Sequence, residues 1–210
     1  MKVPEYADLS MKDFVEFGEI SKAINTAVKK HKVDIIIMGT HGRSGLNEVF
    51  VGSNAQHVVR NTAVPVISIH EQSLKKSIDK IIFATDFSKE ADIVFPQLES
   101  FAKFFGAQIH LVKIITETDF KNSEESQKIA GIFKKEHNLN GTRVSILHHL
   151  KSKEEGIRRF AQLTDTDLIA IGTHGRHGLA RFFKGSVAFF TSHHITQDIH
   201  DFASGDGAVV

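Results

Sequence analysis

"GTHGRHGLARFFKGS", Gly172 to Ser186, repeats at the same glycine offsets a stretch met much earlier, "GTHGRSGLNEVFVGS", Gly39 to Ser53. Sliding the chain on itself by that offset aligns more than the loops: "DIIIMGTHGRSGL" meets "DLIAIGTHGRHGL", and Ile24 meets Ile157 without a gap. Self-similarity of this extent marks a duplicated structural unit. Read physically, the second loop leaves a buried strand at Gly172, passes Gly175 and Gly178, and reaches an expected helix N-terminus at Gly185 and Ser186. Glycine lets backbone N–H groups come close to an anion, and a helix N-terminus adds unsatisfied donors and partial positive charge. The plainer reading is a strand-to-helix connection whose glycines only make turns and whose Ser186 only caps the helix. Ordinary connections of that kind run about 2 to 6 residues, so a longer one kept in both copies favours the phosphate-binding reading. The pattern is neither a P-loop nor the dinucleotide G-x-G-x-x-G.

Outward from the second loop, "KIIFATDFS" (Lys80 to Ser88), "AQIHLVKII", "TRVSILHHL" and "DLIAIGT" read as strands, the first two fully buried. Between them "EADIVFPQLESFAKFF", "SEESQKIAGIFKKEH" and "KEEGIRRFAQLT" have helical apolar spacing, with Pro96 predicting a kink or a late start in the first. Strands alternating with helices predict an α/β fold with a doubly wound parallel sheet. The first copy begins partway through this pattern, with Met1 opposite Lys134. It retains counterparts of the third strand ("KDFVEFG"), its helix ("EISKAINTAVKKH"), the fourth strand, the loop, a last helix and a fifth strand "VPVISIH". The expected organisation is a partial repeat over residues 1–70, a polar linker over 71–79 and a near-complete domain over 80–210.

Composition narrows the function classes. Twenty-six Lys and Arg against twenty-five Asp and Glu give a net charge of +1, which provides no basic field for nucleic acid. Cysteine is absent, so disulfides and thiol catalysis are excluded. No apolar run reaches the roughly 18 residues of a membrane span, and the N-terminus lacks the apolar stretch of a signal peptide. The expectation is a soluble cytoplasmic protein with neither a nucleic-acid nor a membrane partner.

The spacing G-x2-G-x9-G-S, at Gly172, Gly175, Gly185 and Ser186 and again at Gly39, Gly42, Gly52 and Ser53, resembles the nucleotide motif of the universal stress protein family. That family also places an aspartate just after its first strand, and "FATDF" supplies Asp86 there. The resemblance covers nearly the whole chain. It implies a five-stranded parallel sheet in the order 3-2-1-4-5 for the second domain, preceded by an incomplete copy of the same fold. It also implies a ligand crevice where the first and fourth strands lie side by side. By the same resemblance, Ala84, Thr85 and Asp86 contact adenine and ribose, and Ile114 falls near a second-strand backbone contact to adenine. Gly172, Thr173, Gly175, Gly185, Ser186 and Val187 would contact ribose and phosphate. His174 and Arg176 stand either beside phosphate or in solvent, and Asp86 could instead be a turn or cap residue before Ser88 and Lys89. The implied ligand is ATP or AMP, with or without Mg²⁺.

Two departures shape the expectation. The first copy has no counterpart of Asp86, so Gly39, Gly42, Gly52 and Ser53 form at best a phosphate half-site. The second copy has "TQDIHDFAS" where a fifth strand should lie, so that strand is expected to be missing. Because the first copy lacks its first two strands, its "DIIIM" (Asp34 to Met38) should be left with an open apolar edge, closed by a second copy in a homodimer or by other segments of the chain. The cluster "HHITQDIHD", with His193, His194, Asp198, His200 and Asp201, is better read as a solvated tail than as a metal site. The leading expectation is a regulatory nucleotide-binding protein of the stress type, acting on protein partners the sequence does not identify. The rivals are a slow ATPase or adenylyl-transfer enzyme and a dimerisation scaffold without nucleotide. No G-x-S-x-G or H-E-x-x-H pattern accompanies the loop to support an enzyme.

Overall fold

The computed structural model describes residues 10–39, 53–69, 77–117, 123–148, 152–173, 186–191 and 208–209. Within them the chain runs α1 (Ile20–His31), β1 (Ile36–Gly39), α2 (Ser53–Asn61), β2 (Val66–Ile69), β3 (Lys80–Ala84), α3 (Lys89–Phe105), β4 (Gln108–Ile115), α4 (Ser123–Glu136), β5 (Arg143–His148), α5 (Lys153–Leu163), β6 (Leu168–Thr173), β7 (Ser186–Thr191) and β8 (Ala208–Val209). One sheet contains all the strands, in the order β1-β2-β7-β6-β3-β4-β5, with β8 on the end of β6. Every pairing is parallel except those of β6 with β7 and with β8.

Helices cover both faces, which is why the central strands are apolar on both sides. On one face Ala55, Val58 and Val59 of α2 and Ile157 and Ala161 of α5 pack on Ile82, Ala84, Val112, Ile169 and Ile171, with Ile24 and Val28 of α1 beside them. On the other, Val94, Phe95 and Leu98 of α3 and Phe133 of α4 cover Ile81, Phe83, Leu111 and Ala170. The alternation Ile81/Ile82/Phe83/Ala84 divides β3 between the two cores, as the period of two in a strand requires.

Several expectations meet a different structure. Residues 12–18 ("KDFVEFG") do not form a strand; they run as exposed irregular chain before α1, with Val15 and Phe17 almost fully in solvent. The second loop does not deliver a helix at Gly185-Ser186, because Ser186–Thr191 is a strand. Four of the five parallel strands implied by the family resemblance are present, as β5-β4-β3-β6; the place of the fifth, which the sequence led us to expect missing, is filled by β7 running antiparallel. "SVAFFT" combines β-branched and aromatic residues, which suit a pleated surface better than a helix. Pro96 produces no late start: α3 runs through it from Lys89, capped by Ser88, whose side chain accepts from the Ala91 amide. The fourth strand of the first copy, β1, stands at the end of the sheet and pairs only with β2 among the described strands.

Candidate functional site

Strand order reverses between β3 and β6. From β3 the chain crosses to β4 on one side, while β6 lies against the other. The register Ala84↔Ile171 leaves Thr85 and Asp86 just beyond β3, next to Gly172 and Thr173 at the end of β6. Ile114 lies near the end of β4, on the other flank of β3. The structure therefore brings Ala84, Thr85, Asp86, Ile114, Gly172 and Thr173 to one end of three adjacent strands, the end at which open α/β sheets bind ligands.

The turn after β3 is tightly specified. The Phe87 amide donates to Thr85 Oγ1 at 2.9 Å and the Ser88 amide donates to Asp86 Oδ1 at 2.9 Å. Phe87 has a positive φ of 61°, an unfavourable backbone region for a bulky residue. Its buried ring is held against Phe133, with centroids 5.5 Å apart. The Thr85 amide donates to Val112 O at 2.9 Å, which ties the turn to β4. Asp86 is therefore a turn residue, as its plainer reading holds. Because Ser88 engages only Oδ1, the half-buried carboxylate keeps Oδ2 without a partner among the described residues.

Lys113, in the middle of the apolar run of β4, went unremarked in the sequence and is 7% exposed. Its Nζ donates to the backbone oxygen of Asp86 at 3.3 Å. The available signal was a lysine inside "LVKII", where every other residue is aliphatic.

Gly172 has a packing reason of its own. A Cβ there would come within 3.0 Å of Val94 Cγ2 on α3. Gly39, its counterpart at the end of β1, has nothing within 4 Å of such a Cβ. Ser186 and Val187 lie in β7, opposite Thr173 and Gly172, so they do not open a helix that could cradle phosphate. In the first copy Ser53 does open a helix, α2. His174, Gly175, Arg176, Gly185, Gly42 and Gly52 lie outside the described residues, as do His193, His194, Asp198, His200 and Asp201 of the C-terminal histidine cluster.

Among the described residues, cavities flank the strands. Ile114 lines one of about 270 Å³ together with Leu147, His148, Gly156, Arg159 and Phe160, under α5. The roomier one, about 590 Å³, lies at the opposite, N-terminal ends of the strands and is lined by Lys80, Gln108, His110 and Arg143. We place the candidate site at the carboxyl ends of β3 and β6, because Asp86 and Gly172 lie side by side there and neither lines the larger groove. No group of three or more His, Cys, Asp or Glu among the described residues is arranged to hold a metal ion. No helix among them is long and apolar enough to cross a membrane.

Residues 4–70 and 77–200 match the profile of the universal stress protein family. A universal stress protein of Methanocaldococcus jannaschii is 30% identical over 69 residues, which is 33% of this chain and 43% of the relative. A second from that organism is 37% identical over 57 residues, 27% of this chain and 28% of the relative. One from Synechocystis is 30% identical over 67 residues, 32% of this chain and 23% of the relative. The aligned part is thus less than half of each relative's length. Among solved structures, a universal stress protein from Archaeoglobus fulgidus superposes with a TM-score of 0.56 at 18% identity, over 81% of this chain and 64% of that one. A putative universal stress protein from Pseudomonas aeruginosa does so with a TM-score of 0.58 at 16% identity, over 88% and 71%. These structural likenesses concern the fold.

Proposed function

Because the chain belongs to the universal stress protein family, which assigns it a stress-response role, we propose that its second half binds an adenine nucleotide, ATP or AMP, at the carboxyl ends of β3 and β6. Occupancy would then bias assembly or the affinity for protein partners, since a ligand shifts an equilibrium only by its differential affinity for the two states. The observation that supports this reading best is Asp86, held in a pinned turn beside Gly172 at the point where strand order reverses. Its carboxylate is placed to accept from a ribose hydroxyl or the adenine amino group, and the loop after Gly172 supplies glycines for the phosphates. Mg²⁺ would accompany the triphosphate only. Cytoplasmic residence and a homodimer belong to the same proposal. The edge of β1, where Ile37 is 62% exposed, is the surface we assign to a second copy.

Native mass spectrometry of freshly purified protein should find an adenine nucleotide carried over. Titration calorimetry should then give one equivalent per chain, because only the second copy has Asp86. Removing a hydrogen bond to a charged group costs about 1.5 to 3 kcal/mol, so Asp86→Ala should weaken binding about 10- to 150-fold. A wild-type protein that takes up neither ATP nor AMP at millimolar concentration refutes the proposal.

A further inference from the structure

A lysine buried in a parallel strand needs a reason. Moving an ammonium out of water is costly, and an apolar residue of similar length would suit the site better. The residues that share the face of Lys113 on β4 show what the position otherwise calls for, since Leu111 and Ile115 are both buried aliphatics. The ammonium reaches the carbonyl of Asp86, in the turn where the bulky Phe87 has a left-handed backbone. Hydrogen bonds from charged donors are about twice as strong as neutral ones. This one acts on the peptide unit between the aspartate and the strained Phe87. The Thr85 and Asp86 side chains fix the same turn from within, while Lys113 fixes it from the neighbouring strand.

We propose that Lys113 is a positioning residue of the nucleotide site: its buried ammonium clamps the turn after β3 and so presents the Asp86 carboxylate at the switch point between β3 and β6. The proposal rests on the nucleotide reading for its effect on affinity, but not for its effect on the turn. It makes stability and site geometry move in opposite directions. Lys113→Met keeps the length of the side chain and removes the buried charge, so the unfolding midpoint stays at or above that of the wild type. At the same time the turn loosens.

Two measurements test this. In protein free of nucleotide, amide hydrogen exchange at Phe87 and Ser88 should quicken at least tenfold in Lys113→Met while exchange in α5 is unchanged; wild-type rates at both amides overturn the clamp. In titrations with ATP, Lys113→Met should bind about tenfold more weakly and Lys113→Arg, which retains a cationic donor, should recover most of the loss. In the Asp86→Ala background the same Met substitution should change affinity by less than twofold, because Lys113 acts through that carboxylate. An equal tenfold loss in both backgrounds would show a direct or purely structural role and end the proposal. Should the wild type bind no ATP, the nucleotide reading falls while the exchange experiment still decides the clamp. If Lys113→Met does not fold, Lys113→Leu serves both measurements.

Discussion

The two copies of the glycine loop leave strands of the same sheet at opposite ends, because β1 runs parallel to β2 and β7 while β6 is antiparallel to β7, and the two surroundings have little in common. Gly172 ends β6, an interior strand flanked by β3 and β7, and α3 presses so close that Val94 occupies the space a Cβ would need. Gly39 ends β1, the last strand of the sheet, and faces open space. Beyond the loops the contrast inverts: the first copy retains the helix that should follow, opened by Ser53, while the second has strand β7 in its place. Asp86 belongs to the second copy alone. The same sequence pattern thus ends two differently packed strands.

The largest effect expected from this contrast is one of sign. Gly172→Ala forces a methyl against the stiff Val94 side chain and should destabilise by about 1 to 2 kcal/mol, even after the usual gain from replacing glycine. Gly39→Ala meets no obstacle and has no positive φ to lose, so it should be neutral or stabilising by up to about 1 kcal/mol. Thermal midpoints of the two variants measure the difference. Adding Val94→Ala should relieve the clash in the first variant, and equal midpoints for the two single variants would dissolve the contrast between the loops.

A smaller effect concerns the edge. If β1 is completed by a second copy, sedimentation of the wild type at micromolar concentration should show a dimer. Ile37→Asp, by setting like charges across the joined edges, should weaken it about tenfold or more. A monomeric wild type would leave β1 as a free edge and remove the homodimer from the proposed function.

The smallest effect lies at the other end of the strands. His110 on β4 has its pKa lowered, first by burial and second by the nearby Arg143. The unfolded chain therefore takes up a proton before the folded one as the pH falls. Stability on this account is unaffected at pH values above the ordinary imidazole range, is lost as the pH drops through it, and levels off once the folded state also protonates. The midpoint should thus depend more steeply on pH below about 6.5 in the wild type than in His110→Gln. Parallel curves would show that His110 contributes nothing there.

Much of the second copy could be read from its sequence because its signals are local. Long buried strands and amphipathic helices carry their own periods, and all of β3 to β6 fall where those periods place them. What escaped depended on neighbours. "KDFVEFG" has the alternation of a strand, but no strand among the described residues lies beside it to supply hydrogen bonds, and isolated extended chain is not stable in water. "SVAFFT" was read as a helix opening at Gly185-Ser186 after the glycine loop, although its own residues favour a strand. The contact between Gly172 and Val94 joins residues far apart in the chain, so the glycine looked like a phosphate-binding residue alone. Lys113 was visible as a charge in an apolar strand, but its target, a backbone oxygen, leaves no trace in a sequence.

The placement of β7 has a consequence for how the chain must come together as it is made. Its partners are Val66 to Ser68 of β2 and Leu168 to Thr173 of β6, so Ala188 meets a residue synthesised 122 positions earlier (188 − 66). At about 5 to 20 residues per second, translation keeps β2 waiting for roughly 6 to 25 s with that edge uncovered. Contacts so distant in sequence close late and slow the final step of folding. β7 acts as a keystone, arriving late between two groups of strands already made, and a nascent chain stalled before Ser186 would present an apolar sheet edge to any chaperone at the ribosome exit.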